Sequence, residues 1–238
     1  MISAGVEKDT SAESVLNPIE TGTISGKISY LGEAPKPQKL MVIKDVKICA
    51  KVDHFDDRLI VGEENGIKNV VVWLEGVEGG KPIDSLGAEF ILDQKVCAYN
   101  PHVLIVPVSM PVKILNNDKI LHNIHTYGVK NKPVNLAQPR FKKTIKMTFT
   151  EPEKVQVRCD VHGWMSAWII VVEHAYYTVT DEKGEYILDG IPPDTYTLNF
   201  WQESLGEKSS EVTIGEEKNV QLDYAFEPAK PTKKLKFK

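Results

Sequence analysis

The fold is decided by residues 158–172, which read RCDVHGWMSAWIIVV. Within seven residues this stretch places a thiol at Cys159, an imidazole at His162 and a thioether at Met165. A β-rich run precedes the three side chains and another follows them, so they lie in a tight loop between two strands. Such a loop lets the three side chains converge on one point, which predicts a metal site.

The donor set favours copper. Soft sulfur ligands with imidazole select copper, and two histidines, one cysteine and a weak axial methionine define a type 1, or blue, copper site. The second histidine must come from elsewhere, and HNIH at 122–125 offers two candidates after the strand PVKILNND. Asn123 is placed to tie that segment to the ligand loop. Zinc would need more cysteine or carboxylate ligands and would leave Met165 unused.

The chain around this motif has an ordinary globular composition. Its 238 residues are 42% hydrophobic and 26% charged, with a formal net charge of −4, which fits one or two domains with a sizeable core. This charge gives no reason to expect nucleic-acid binding, and no run of about 18 apolar residues predicts a membrane span. The first 14 residues lack the basic start and apolar run of a secretory signal.

Strand patterns dominate from residue 22 onward. Polar and apolar residues alternate in GTISGKISYL at 22–31, and turn sequences such as GIPPD at 190–194 separate the later runs. Further strand candidates lie at 68–76, 88–93, 102–108, 111–116, 144–149, 154–159, 167–173, 176–180, 185–188, 195–201, 210–214 and 218–224. No long helical period appears, so we predict an all-β chain built from sandwiches or barrels.

Around the metal motif the sequence resembles the cupredoxins, the amicyanin type in particular and plastocyanin more loosely. The shared motifs are the C-x2-H-x2-M loop and the upstream His-Asn-x-His stretch, and the resemblance covers residues 88–173. It implies a Greek-key β-sandwich with one copper ion per chain, cycling between Cu+ and Cu2+, and makes His125 a non-ligand. The ligands that it implies are His122, Cys159, His162 and Met165.

The same resemblance implies a docking surface. In that family the C-terminal ligand histidine is partly exposed within an apolar patch through which electrons pass. We therefore expect a redox partner protein, such as a cytochrome or an oxidoreductase, to dock near His162 and Trp164. Gly163 and Met110 would complete the patch, although ordinary loop packing is an alternative reading of Trp164.

A second module follows the metal motif. Residues 176–224, with the motif TVTDEKGEYILDGIPPDTYTLNFW, resemble part of a carboxypeptidase regulatory-like, or transthyretin-like, β-sandwich. The two strands that usually open such a module are missing just before it, but GTISGKISY at 22–30 and NVVVWLEG at 69–76 match them. We predict that the cupredoxin unit is inserted into this sandwich. The alternative is a separate C-terminal domain of about 50 residues, which would bury little surface by itself.

This organisation divides the chain into four parts. We predict a disordered N-terminus (1–20), a discontinuous regulatory-like sandwich (21–87 plus 174–226), a cupredoxin domain (88–173) and a basic tail (227–238). The tail is either a solvated segment or a docking arm for an acidic partner.

Three cysteines are present, and an odd count suggests one pair and one special thiol. With Cys159 as a ligand, we predict a disulfide between Cys49 and Cys97, joining the connection 32–67 to the copper unit. Two separate buried thiols are the alternative. We predict that His54 lies on the surface and that His102 has a structural role.

Together these features predict a one-electron carrier or the copper subunit of a redox complex, rather than an enzyme. A disulfide suits an oxidising compartment, so we expect a periplasmic or other extracytoplasmic location, with a signal peptide absent from the given sequence. The alternative is a copper-binding or delivery protein without electron transfer, for which an open, flexible site would be typical. A copper oxidase or reductase would need further histidine clusters, and the chain has six histidines in all.

Overall fold

The structure is a computed structural model that describes residues 20–228. The predicted N-terminal segment 1–20 and the basic tail 227–238 lie almost entirely outside the described residues. Nearly all regular structure is β-strand, so the predicted all-β class is confirmed. No helix among the described residues is long and apolar enough to cross a membrane.

The strands are short and follow one another closely along the chain. They are β1 (Gly22–Tyr30), β2 (Ile60–Val61), β3 (Ile67–Lys68), β4 (Val71–Glu75), β5 (Phe90–Lys95), β6 (Ala98–Asn100), β7 (Val103–Pro107), β8 (Pro111–Asn116), β9 (His122–Tyr127), β10 (Asn135–Gln138), β11 (Thr144–Thr148), β12 (Glu153–Arg158), β13 (Ser166–Val172), β14 (Tyr177–Val179), β15 (Glu185–Ile191), β16 (Asp194–Gln202), β17 (Gly206–Ile214), β18 (Asn219–Gln221) and β19 (Tyr224–Phe226). One helical turn, α1, spans Val46–Cys49, and 3-10 turns span Glu63–Asn65 and Ile83–Leu86.

Strands β5 to β13 form the first sandwich. One sheet has the order β10-β9-β12-β13-β7 and the other the order β11-β8-β5-β6. Alternation along the strands supplies the core, as in β5, where Phe90 and Leu92 point inward and their neighbours are less buried. The apolar side chains of both sheets form one cluster, which also contains Cys159 and Met165. The predicted ligand loop therefore lies at an edge of this core.

The remaining long strands form the second sandwich. One sheet has the order β15-β1-β18, with β19 also paired to β1, and the other has the order β14-β4-β16-β17. Gly26 in β1 lies so close to the chain directly after β18 that an added Cβ would be 2.0 Å from the Leu222 carbonyl oxygen, so only glycine fits there. In the second sandwich, strands that precede the first sandwich in the sequence thus pair with strands that follow it. This pairing supports the predicted insertion, while the exact domain boundaries remain a prediction.

The two sandwiches meet through an apolar and aromatic contact. Val71 of the second sandwich packs with Val103 and Ile170 of the first. The Trp168 and Trp201 rings meet edge to face with centroids 4.9 Å apart. Trp168 therefore fills the contact between the sandwiches.

His102 forms ion-pair contacts at the same place. Its Nε2 is hydrogen-bonded to Glu203, which follows β16, and its Nδ1 lies 3.1 Å from Asp57 in an ion-pair contact. The His102 side chain is almost fully buried. The predicted structural role of His102 is confirmed.

The segment 38–56, which we call the strap, crosses the end of the first sandwich. It closes on itself through the Leu40 N–H, which donates to the His54 carbonyl at 2.8 Å. The predicted disulfide between Cys49 and Cys97 is confirmed, and it fastens the strap to the turn between β5 and β6. The prediction that His54 lies on the surface is wrong, because its Nε2 donates to the Cys49 carbonyl at 2.9 Å and the residue is buried.

Candidate metal centre

The first histidine opens β9 and points into the end of the first sandwich. His122 is fully buried, and its Nε2 lies 2.9 Å from Asp118 Oδ2 in the turn before β9. This contact leaves Nδ1 facing the ligand loop. Hydrogen bonds from the His122 ring and from backbone N–H groups lower the pKa of the Asp118 carboxyl, although burial opposes this shift. The aspartate therefore stays charged beside the ring.

Asp118 also shapes the hairpin that carries the disulfide. Its carboxylate accepts the backbone N–H groups of Val96 and Cys97, the latter at 2.7 Å. Both residues have positive φ, at 52° and 53°, in the two-residue turn between β5 and β6. A left-handed conformation is unfavourable for a β-branched residue. The carboxylate and the disulfide hold this turn in place.

The ligand loop connects β12 to β13 and is closed by its own backbone. The Met165 N–H donates to the His162 carbonyl at 2.9 Å, and the Cys159 N–H donates to the Met165 carbonyl at 3.3 Å. The predicted link from Asn123 is confirmed: its Oδ1 accepts the Asp160 N–H at 2.7 Å. The two segments that carry the predicted ligands are therefore fixed relative to each other.

Three of the four predicted ligands bring their donor atoms together. His122 Nδ1 and His162 Nδ1 are 3.0 Å apart, and Cys159 Sγ lies 3.9 Å from the first and 3.8 Å from the second. The point equidistant from the three atoms lies roughly 2 Å from each, which is close to the length of a metal–imidazole bond. Two imidazole nitrogens and one sulfur facing a common point fit a soft metal ion.

The fourth predicted ligand, Met165, shares the buried loop. It is 2% exposed, and its backbone is bonded to both Cys159 and His162. Its assignment as the axial ligand stays a prediction. His125 lies outside the cluster, with its Nδ1 3.0 Å from Asp160 and its ring stacked on Tyr127 at the surface.

The surroundings favour the thiolate form of Cys159. Burial alone raises the pKa of this thiol, but the contacts with His122 and His162 outweigh it and lower the pKa from 9.0 to about 6. Contacts with Asp118 and Cys159 raise the pKa of His122 against the effect of burial. The pocket therefore favours the thiolate, which is the form of cysteine that can coordinate a metal ion.

His162 differs from the expectation that the resemblance raised. Its expected partial exposure is wrong, because the side chain is 0% exposed and its Nε2 lies 3.0 Å from Asp45 Oδ2 in the strap. Asp45 precedes α1 and has a left-handed φ of 48°. Histidines that bind metals usually donate their second ring N–H to a carboxylate or carbonyl. Both histidines here have such a carboxylate partner.

Trp164 lies beneath the strap. Its ring centroid is 5.2 Å from that of His162, and its indole N–H donates to the Cys97 carbonyl at 3.1 Å. Trp164 is therefore packed and hydrogen-bonded in the ligand loop, and the expected apolar patch around His162 is covered on this side by the strap.

Sequence reasoning missed both carboxylates. Asp118 had a local signal, because it precedes His122 by four residues in the same short connection. Asp45 had none, since 117 residues separate it from His162.

Two further groups of metal-binding side chains, around Cys97, contain disulfide sulfurs that are not free to coordinate.

Comparisons with known proteins found matches among solved structures only. No protein-family model matches the chain, and the search of curated proteins gave no match. A copper-containing nitrite reductase from Thermus scotoductus is 21% identical, with a TM-score of 0.33, over 41% of this chain and 24% of the reductase. A purple cupredoxin from Nitrosopumilus maritimus is 21% identical, with a TM-score of 0.30, over 35% of this chain and 100% of that protein.

A third solved structure, a Cu(I) form of an amicyanin mutant, is 19% identical, with a TM-score of 0.32, over 42% of this chain and 98% of that protein. The chain thus spans about a quarter of the reductase and nearly the whole of each small cupredoxin. These similarities concern part of the chain and do not define its function.

Proposed function

We propose that this protein is a type 1 copper protein that transfers single electrons, as a carrier or as the copper subunit of a redox complex. The observation that supports this proposal is the set of three buried donor atoms, from His122, Cys159 and His162, placed around one point. Met165 would be the weak axial ligand. One copper ion, when bound, supplies the change between Cu+ and Cu2+.

The protein's own part is to hold these ligands still. Asp118 and Asp45 fix the rings of His122 and His162 from behind, through the nitrogen that does not face the centre. Asn123 fixes the backbone of the ligand loop. A set of ligands held in this way changes little when the ion gains or loses charge, and the low exposure of the site keeps water away. Both properties favour fast electron transfer.

The alternative, copper delivery without electron transfer, is less well supported. Delivery calls for an accessible site, whereas His122 and His162 are both fully buried. A copper oxidase or reductase typically needs further histidines for a substrate-binding copper. Within residues 20–228, every group of three metal-binding side chains includes His122 or His162. This single set of buried donors supports our proposal of a carrier.

The disulfide and the second sandwich fit the same proposal. A disulfide between Cys49 and Cys97 suits an oxidising compartment, so we propose a periplasmic or other extracytoplasmic location. We propose that the second sandwich is a carboxypeptidase regulatory-like module that supports the copper unit, and that the partner is a redox protein.

The test is a visible and electron-spin-resonance spectrum of the copper-loaded protein beside that of Cys159→Ser. We expect a strong sulfur-to-copper charge-transfer band that the substitution abolishes, while His125→Ala, as the matched control, retains it. A copper-loaded protein without the band, or with a band that survives Cys159→Ser, would contradict the proposal. Repeated reduction and oxidation without loss of copper to a Cu+ chelator separates a carrier from a delivery protein.

A further inference from the structure

We propose that the outer face of the strap is the docking surface for the redox partner, and that this partner is a protein with acidic groups around an apolar contact. The inference rests on the proposed function, because it identifies the route by which electrons leave the centre. It places docking on a segment that lies outside the predicted cupredoxin domain 88–173.

The strap contributes the more exposed of the two carboxylates that contact His122 and His162. Both ligand histidines contact a carboxylate, but the Asp118 side chain is only 4% exposed, whereas that of Asp45 is 36% exposed. Asp45 therefore touches His162 on one side and solvent on the other. A partner on the strap would be separated from a ligand by one side chain and one hydrogen bond of 3.0 Å.

The strap exposes an unusual amount of apolar surface. Of the twelve large hydrophobic side chains that are exposed among the described residues, five lie in the strap. Met41 is 80% exposed, Ile43 is 76% exposed and Val46 is 54% exposed. Val42 and Ile48, between and beside them, pack instead against the core of the first sandwich. Exposed apolar side chains concentrated in one short segment are typical of a protein-binding surface.

The lysines of the strap indicate the sign of the partner's charge. Lys44, Lys47 and Lys51 have no carboxylate within ion-pair distance in residues 20–228, whereas Lys39 is paired with Asp53. The other two aspartates of the strap are also engaged, because Asp45 faces His162 and Asp56 is paired with Arg58. The strap thus presents these three lysines beside the centre in a chain of formal charge −4. Complementary charge steers association, so an acidic partner would be drawn to this face and a basic partner to others.

The surface is also held in place before any partner arrives. The disulfide fastens one end of α1 to the first sandwich, and the bond from Leu40 to His54 closes the base of the strap. A surface that is already ordered loses less conformational entropy on binding. The strap can therefore bind a partner without a large entropic cost of ordering.

The first experiment mixes the reduced, copper-loaded full chain with the anionic one-electron oxidant hexacyanoferrate(III) over a range of ionic strength; Cu+ is oxidised to Cu2+ and the probe is reduced to hexacyanoferrate(II). If the probe reacts at the strap, the rate falls as salt is added, although the net charge of the protein is negative. The triple substitution Lys44→Glu, Lys47→Glu and Lys51→Glu should lower this rate at low salt by about tenfold or more and reverse the sign of its salt dependence.

The matched control changes three exposed lysines elsewhere to glutamate: Lys130, Lys183 and Lys208. It changes the net charge equally and should leave the sign of the salt dependence as in the wild type. Equal slowing in both triple variants, or a wild-type rate with hexacyanoferrate that rises with salt, would overturn the docking proposal. A protein that shows no charge-transfer band would instead overturn the proposed function, so the two failures are distinguishable.

A second experiment tests the apolar part with an acidic c-type cytochrome as the protein probe. Ile43→Ser should lower the second-order rate with the cytochrome severalfold and leave the rate with hexacyanoferrate unchanged. Ile187→Ser, at an exposed position of the second sandwich, is the control. An unchanged cytochrome rate in Ile43→Ser would exclude the apolar contact.

Discussion

Asp45 and His162 are 117 residues apart in the sequence, yet a carboxylate oxygen of the first lies 3.0 Å from Nε2 of the second. The contact joins the strap to the ligand loop. It mirrors the contact of Asp118 with His122, so that each histidine is held by an aspartate behind it. Two residues that are not themselves predicted ligands therefore orient the two histidine rings.

The first prediction concerns the reduction potential. A carboxylate behind a ligand histidine makes the imidazole a stronger donor and favours Cu2+. We expect Asp45→Asn and Asp118→Asn each to raise the potential. A tenfold loss of affinity confined to Cu2+ corresponds to about 59 mV for this one-electron change. Voltammetry measures the shift, and Asp53→Asn, also in the strap, is the control. A lower potential in either variant would contradict the proposed role.

The second prediction concerns the link between the two ligand-bearing segments. Asn123→Ala removes the acceptor of the Asp160 N–H and leaves this partly buried group without its partner. We expect the free energy of unfolding to fall by about 1–3 kcal/mol. Urea denaturation measures this loss. Asn117→Ala, which removes an exposed contact with Asp93, should cost much less, and an equal cost in both variants would argue against the link.

The third prediction concerns the disulfide. Replacing Cys49 and Cys97 together by alanine should lower the free energy of unfolding by about 2–4 kcal/mol. It should also loosen the strap over His162, so a Cu+ chelator should remove the ion from the reduced protein faster. The rate of chelation is measured beside the unfolding curve. Lost stability with an unchanged chelation rate would show that the strap stays closed without the disulfide.

The fourth prediction concerns pH and the contact between the sandwiches. Burial opposes the charged form of His102, but Asp57 and Glu203 outweigh it and raise its pKa from 6.5 to about 9. A raised folded-state pKa means that this contribution to stability is complete below pH 6.5 and is lost as the pH rises through 9. We expect the wild type to lose up to about 3 kcal/mol over this range.

Unfolding curves at intervals between pH 6 and pH 10 measure this loss. The variant His102→Gln should lack it, because glutamine does not titrate, and His174→Gln is the control. If the wild type and His102→Gln depend on pH in parallel, the ion pairs at His102 contribute nothing to stability.

Much of the centre could be predicted from the sequence because its determinants are local. Cys159, His162 and Met165 lie in one loop, and the pattern of short apolar runs predicts β-strands without knowledge of their partners. The disulfide could be predicted by elimination, since only two cysteines remained after Cys159 was assigned as a ligand.

The cover over the centre could not be predicted in the same way. The strap has little regular structure, so no periodic pattern shows where it lies. His54 sits in a polar stretch, VDHFDDR, which indicated a surface position, but its ring is buried against the Cys49 carbonyl. In the sequence, Asp45 is one acidic residue among several lysines, and only the folded chain places it against His162. Contacts of this kind are set by tertiary packing and not by local pattern.

The pairing of β1 with β15, β18 and β19 has a consequence for biosynthesis. Strands β1 and β4 are translated before the ligand residues, and their partners leave the ribosome only after them. The second sandwich must therefore wait until β14 to β19 have been translated, while the first sandwich is already complete as a continuous stretch of nascent chain. During this interval the apolar faces of β1 and β4 have no native partner and are exposed to aggregation or to chaperones.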